Sequence, residues 1–292
     1  MKYEITGNGS RVGRQGTAQF ESTNIGRGKA SQAGLASRIL VFAYGLGAYV
    51  ICLGTFVYAF GFIGNYGVPK AMDSGREGSV SMALLIDALM LGVFAVQHSV
   101  MARPWFKEWW TRLVPRIVER STYVLVSCVL MFVLFWQWRP IGGTIWNVQN
   151  TVGRGLLFGL YVVGWIVLLT ATFLINHFDL FGIRQVSLYL LGKEVKPLKF
   201  ATPALYKHVR HPLYVGWFLT FWATPTMTAA HLVFAVLSSA YILVAIQFEE
   251  RDLITIHGER YVQYRRSVPM LIPRLFNRQS VGQRVASDST SA

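Results

Sequence analysis

The chain has 292 residues, of which 53% are hydrophobic and only 14% charged, against roughly 25% charge in ordinary soluble domains. That balance excludes a soluble globular enzyme and predicts an all-α integral membrane protein. The net charge of +14 lies in blocks between apolar runs, which argues against a nucleic-acid partner and for the lipid bilayer as the partner.

Residues 1–36 are rich in Gly, Ser, Thr, Asn and Arg and lack apolar periodicity, so they read as a disordered cytoplasmic tail. Residues 275–292 read the same way. Apolar spans are expected at about 39–63, 81–102, 121–138 and 155–176, each near the ~20 residues that cross a bilayer. Asp87 is the one charged side chain inside them. Cys52 and Cys128 fall within spans, with no disulfide framework or metal spacing, and read as small buried apolar groups. The uncharged stretch 213–248, interrupted by Pro225 and His231, predicts a helical hairpin of two short helices.

Lysine and arginine alternate along the chain. The N-terminal part carries six, the 64–80 loop two, the 103–120 loop five, 139–154 two, 177–211 six and the part after 248 seven. The bias places both termini, 103–120 and 177–211 in the cytoplasm. Four spans and a hairpin give the even number of crossings this needs. A bacterial inner membrane fits the pattern.

The segment Arg210-His211-Pro212-Leu213-Tyr214 begins the hairpin. Pro212 suits the first turn of a helix, and free backbone N–H groups at such an end attract a carboxylate or phosphate. Glu249-Glu250 stands where the hairpin ends. Leu253, His257, Tyr261 and Tyr264 follow at i, i+4, i+8 and i+11, which predicts one amphipathic cytoplasmic helix lying back over the hairpin mouth. His208 and His211 have no third ligand at suitable spacing, so no metal is expected.

Arg210-His211-Pro212-x-Tyr214-x-Gly216, then Glu249-Glu250, then Gly258-x-x-Tyr261-x-x-Tyr264 and Val268-Pro269 resembles the isoprenylcysteine carboxyl methyltransferase-like membrane methyltransferases. The likeness covers residues 198–273. It implies an S-adenosyl-L-methionine site facing the cytoplasm, with contacts from Tyr206, His211, Pro212, Leu213, Tyr214 and Glu249, and backbone contacts from Leu198–Ala201. Arg210 and Glu250 join that set as neighbours. One departure is Ala245, where the isoprenylcysteine enzymes carry an arginine suited to a carboxylate acceptor.

Four upstream motifs narrow the resemblance: Gln97-His98-Ser99 through Arg103-Pro104-Trp105, Glu119-Arg120-Ser121-Thr122-Tyr123, Phe135-Trp136-Gln137-Trp138-Arg139-Pro140, and Asn176-His177-Phe178-Asp179 through Gln185. Together these resemble the bacterial methanethiol S-methyltransferases, relatives of the NnrU family, over residues 37–274. That implies one membrane methyltransferase domain that converts methanethiol to dimethyl sulfide. A polar residue inside a span is a candidate functional group. His98, and His177 with Asp179 as its partner, are the candidate catalytic residues; Asp87, about 16 Å from His98 along its helix, has a structural or outer-cavity role. Alternative readings are a lipid or prenyl-cysteine acceptor, an NADPH-dependent membrane reductase, and a non-enzymatic channel or accessory protein.

Overall fold

The computed structural model describes residues 34–274 apart from Arg76. Of the expected tails over 1–36 and 275–292, residues 1–33 and 275–292, with the cations they carry, lie outside the described residues, as does Arg76 of the 64–80 loop, while 35–36 already belong to the first helix. Ten α-helices dominate the described residues. Five are long and apolar enough to cross a membrane: α1 (Leu35–Gly64), α2 (Val80–Ala102), α4 (Glu119–Gln137), α5 (Thr151–Ile175) and α9 (Ala229–His257). Large apolar side chains such as Leu40, Val57, Leu85, Leu156 and Ile166 stand exposed along them. A soluble protein rarely shows so much apolar surface, and an integral membrane protein must.

The hairpin is present but unequal. Its first arm, α8 (Pro212–Trp222), has 11 residues, and its second, α9, has 29. The expectation of two short helices is therefore corrected. Alpha-helical rise carries 11 residues only about 16 Å, and a non-helical stretch through Pro225 completes the passage. That stretch leads into β2 (Thr226–Thr228), which pairs antiparallel with β1 (Thr144–Asn147). This small ribbon was not foreseen, and it marks one end of the bundle. Thr228 then starts α9: its hydroxyl accepts from His231 N at 3.0 Å and donates to Asp73 at 2.6 Å.

The second correction concerns the chain after the glutamates. α9 runs through both of them to His257 and stops at Gly258, whose φ is +58°. α10 (Glu259–Ser267) starts afresh, so no single helix carries Leu253 through Tyr264. His257, Tyr261 and Tyr264 still meet, because all three rings pack on Phe200 with centroids 4.9–6.0 Å away.

Packing rests on close crossings. α5 lies along α8, α4 lies on α1 and α2, and α9 touches α2 and α8. At the α5–α8 crossing a Cβ on Gly216 would sit 2.7 Å from Gly164 O and Leu168 N. Small residues let helix backbones approach this closely in membranes. The short α3 (Pro104–Trp110), α6 (His177–Leu180) and α7 (Ile183–Leu190) gather at the end opposite the ribbon. There Arg38 of α1 donates to the carbonyls of Tyr189 and Leu190 at the end of α7. Asp87 is fully buried near the ribbon end and accepts from Arg139 N at 2.9 Å, in keeping with a structural role.

Candidate functional site

Pro212 opens α8 at its first position, where a missing N–H costs nothing. The N–H groups just before it are not free. Arg210 N donates to Pro269 O at 2.9 Å and His211 N to Met270 O at 3.1 Å. The expectation that they await an anion is overturned, because the chain after α10 folds back and takes both.

The two glutamates have separate environments. Glu250 is buried, its side chain 5% exposed. It pairs with Arg210 Nε at 2.7 Å, Arg265 Nε at 3.2 Å and His211 Nε2 at 3.2 Å. Arg210 also donates to the carbonyls of Arg265 and Val268. Glu250 thus closes an internal clamp. Glu249 is 43% exposed at its side chain. Among the described residues it accepts one hydrogen bond, from Tyr214 Oη at 2.9 Å, and His211 Nδ1 lies 3.8 Å away. One carboxylate oxygen remains available to a ligand.

Tyrosines frame this opening. Tyr264 donates to Tyr206 O at 2.6 Å, and burial pushes its phenol up to about 12. Burial, with Glu249 and Tyr264 nearby, pushes Tyr206 up as well. Both phenols stay protonated donors at neutral pH. Leu213 is half-buried beside Pro212. Tyr214 and His211 thus meet at Glu249, with Pro212 and Leu213 beside them in the first turn of α8; the Tyr206 hydroxyl donates instead to Ala171 O of α5 at 3.4 Å, and Arg210 and Glu250 are engaged with each other.

His98 sits in a second polar cluster between α2 and α4. Tyr123 Oη lies 2.9 Å from Nε2 and 3.0 Å from Nδ1, and Ser127 Oγ is 3.2 Å from Nδ1. Phe94 stacks on the imidazole. Ser99 Oγ donates to Tyr241 Oη of α9 at 3.3 Å. Tyr241 stands two turns before Glu249 on α9, so that helix links this cluster to the glutamate.

His177 stands apart. Thr172 Oγ1 is 2.9 Å from Nδ1 and Tyr49 Oη 2.8 Å from Nε2. Phe173 stacks on the ring and Phe181 tilts against it. Burial pushes the imidazole below its ordinary value. Asp179 is not its partner: the carboxylate accepts from Arg184 at 2.7 Å and from Gln185 at 3.1 Å. The local turn explains this, since Asn176 caps Asp179 N and turns that side chain toward α7.

The sequence reading missed Arg265 as the third cation around Glu250, and Tyr123 and Ser127 as partners of His98. Tyr123 was visible inside a motif, but nothing in the spacing ties it to a histidine 25 residues earlier. Val268-Pro269 was visible too, and its function is backbone pairing.

Comparison with known proteins gives one consistent result. No family model matches the chain, and no solved structure does. The chain is 61% identical to a methanethiol S-methyltransferase of Crocosphaera subtropica, covering 81% of this chain and 93% of that protein. It is 50% identical to one of Mycobacterium tuberculosis, covering 81% and 97%. A nurim of Bos taurus is 29% identical over 76% of this chain and 88% of its own. On the strength of the first two, the chain belongs to the methanethiol S-methyltransferase family.

Proposed function

We propose that this protein methylates methanethiol to dimethyl sulfide with S-adenosyl-L-methionine as donor. The carrying observation is that one helix, α9, bears both the half-exposed Glu249, held by Tyr214, and Tyr241, which joins it to the His98 cluster through Ser99. A cationic donor bearing a sulfonium, an ammonium and ribose hydroxyls fits a carboxylate whose single bond comes from Tyr214. When bound, it supplies an electrophilic methyl group. Glu249, Tyr206, Tyr214 and His211 hold it, while Pro212 and Leu213 shape the wall. Arg210 and Glu250 brace that wall from behind.

His98, with Tyr123 and Ser127, forms the acceptor side and orients the sulfur. His177 and Asp179 fix the turn after α5 and close the pocket from the α1 side. The surrounding apolar helices keep water away, and a volatile neutral product has a direct path into lipid. Residues 37–274 form the methyltransferase domain, with 198–273 as its donor half. The charge alternation supports an inner-membrane protein with both termini and the glutamate opening in the cytoplasm.

Two rival readings fit less well. A reductase needs arginines free to clamp a dinucleotide phosphate, yet Arg210 is committed to Glu250 and to two carbonyls. A carboxylate acceptor has Ala245 where it would need a cation. Purified protein incubated with the donor and methanethiol is expected to release dimethyl sulfide, read by headspace gas chromatography. Output no greater than a protein-free control refutes the proposal.

A further inference from the structure

An alkanethiol is a weak acid and a poor nucleophile until it ionises. Something in the pocket must therefore take the proton or favour the anion. The His98 cluster is bordered on its outer side by cations. Arg120 lies over the Tyr123 ring at 5.7 Å. Arg103, one turn beyond Ser99, donates to Ser99 O at 3.1 Å and pairs with Asp252 at 2.7 Å. Lys107 stands one turn after Arg103, its N–H donating to Arg103 O at 3.1 Å; burial first, then Arg120, push its ammonium below the ordinary lysine value.

The groups around the pocket can be named element by element. α2 gives His98 and, at its end, Arg103; α3 gives Lys107. α4 gives Glu119, Arg120 and Tyr123. α8 gives Tyr214, and α9 gives Tyr241, Glu249 and Asp252. Near the histidine, three cations face two carboxylates, and Arg103 already neutralises Asp252. Glu249 belongs to the donor side. An imidazolium at His98 would add a fourth positive charge to this cluster, whereas a thiolate would offset it.

We propose that the acceptor is held and attacked as its thiolate, with Arg120 and Lys107 supplying the counter-charge and no side chain of the cluster keeping the proton. This rests on the methyl-transfer reading above. Methanethiol gives its proton to bulk water. A sulfur lone pair then forms the new S–CH3 bond as the methyl–sulfonium bond breaks, and that bonding pair stays on the departing thioether sulfur. An anion and a cation become two neutral products, so neither is retained by the cations. His98 orients the thiolate by hydrogen bonding. Arg120 acts through its field, as a positioning residue.

The test is the pH dependence of the single-turnover rate at saturating thiol, which reports ionisation in the bound complex. Arg120→Gln is expected to move the acid limb up by about one pH unit, about tenfold in rate on that limb, and Arg120→Lys to restore most of it. A fluorinated ethanethiol, more acidic than methanethiol, is expected to lose less in Arg120→Gln, about twofold, since its anion needs less help to form. Calorimetric binding of S-adenosylhomocysteine is expected to be unchanged, which also certifies the fold; Lys107→Gln serves in its place if Arg120→Gln fails that check. His98→Gln is expected to lower the rate and leave the limb in place. An unmoved limb in the charge variants, equal loss with both thiols, or disappearance of the limb in His98→Gln overturns the proposal, the last by making His98 the base. Wild-type protein that makes no dimethyl sulfide refutes the substrate reading instead.

Discussion

Consecutive residues on a helix point about 100° apart, so Glu249 and Glu250 face different surroundings from one backbone. Glu250 is enclosed with Arg210, His211 and Arg265. Removing one member of such a buried set strands the others, at about 3–5 kcal/mol. Glu250→Ala is expected to lower the unfolding midpoint in detergent sharply. Glu249→Ala is expected to leave that midpoint almost unchanged and to weaken donor binding by about 1.5–3 kcal/mol, the scale of a charged hydrogen bond, read by calorimetry. Equal thermal losses in the two variants would contradict this division. His177 gives a pH prediction. Its folded-state value is depressed by burial, so the folded protein prefers the neutral ring. Stability is then full above the ordinary value of 6.5 and falls as pH drops below it. His177→Gln is expected to flatten that acid-side decline in a series of thermal melts. Sequence pointed to both glutamates through one motif and could not divide their labour, because enclosure depends on Arg265 and on the returning strand of chain after it.

At the scale of elements, the α5–α8 crossing decides what glycines are for. Gly216 stands in the sequence only as a motif position, and its partner is not legible there: Gly164 lies 52 positions away and no local pattern links them. A methyl at Gly216 meets backbone, which cannot give way, so Gly216→Ala is expected to destabilise by about 1–3 kcal/mol. Gly159, on α5, has nothing within 4 Å of a built Cβ, and Gly159→Ala is expected to be neutral or to stabilise by up to about 1 kcal/mol. Opposite signs in parallel melts check the assignment. The break at Gly258 escaped notice for a related reason. The apolar and aromatic spacing continues through it, and periodicity does not register one residue with positive φ. The ribbon escaped because four-residue β1 and three-residue β2 are too short to carry an alternating pattern.

Across the whole molecule the spans were the most legible feature. The expected 39–63, 81–102, 121–138 and 155–176 lie within a few residues of α1, α2, α4 and α5, since length and hydropathy alone define a crossing. Topology follows the same arithmetic and can be checked. Cys52 and Cys128 are both buried, so the native background to thiol reagents is low. Single cysteines placed at Ser79 and Ser267 are expected to label from opposite faces of sealed vesicles, with Ser267 on the cytoplasmic side; labelling of both from one face would reject the arrangement. The strap from Val268 to Met270 has a consequence in time. Arg210 and His211 find their backbone partners, and Arg210 its last carbonyl, only in residues 58–59 positions further along. The clamp therefore closes only once residues 265–270 are in place, after α9 itself is complete at His257. Without them Glu250 lacks Arg265 and α8 lacks its brace, so a chain cut short before residue 265 is expected to keep its spans and to bind the donor poorly.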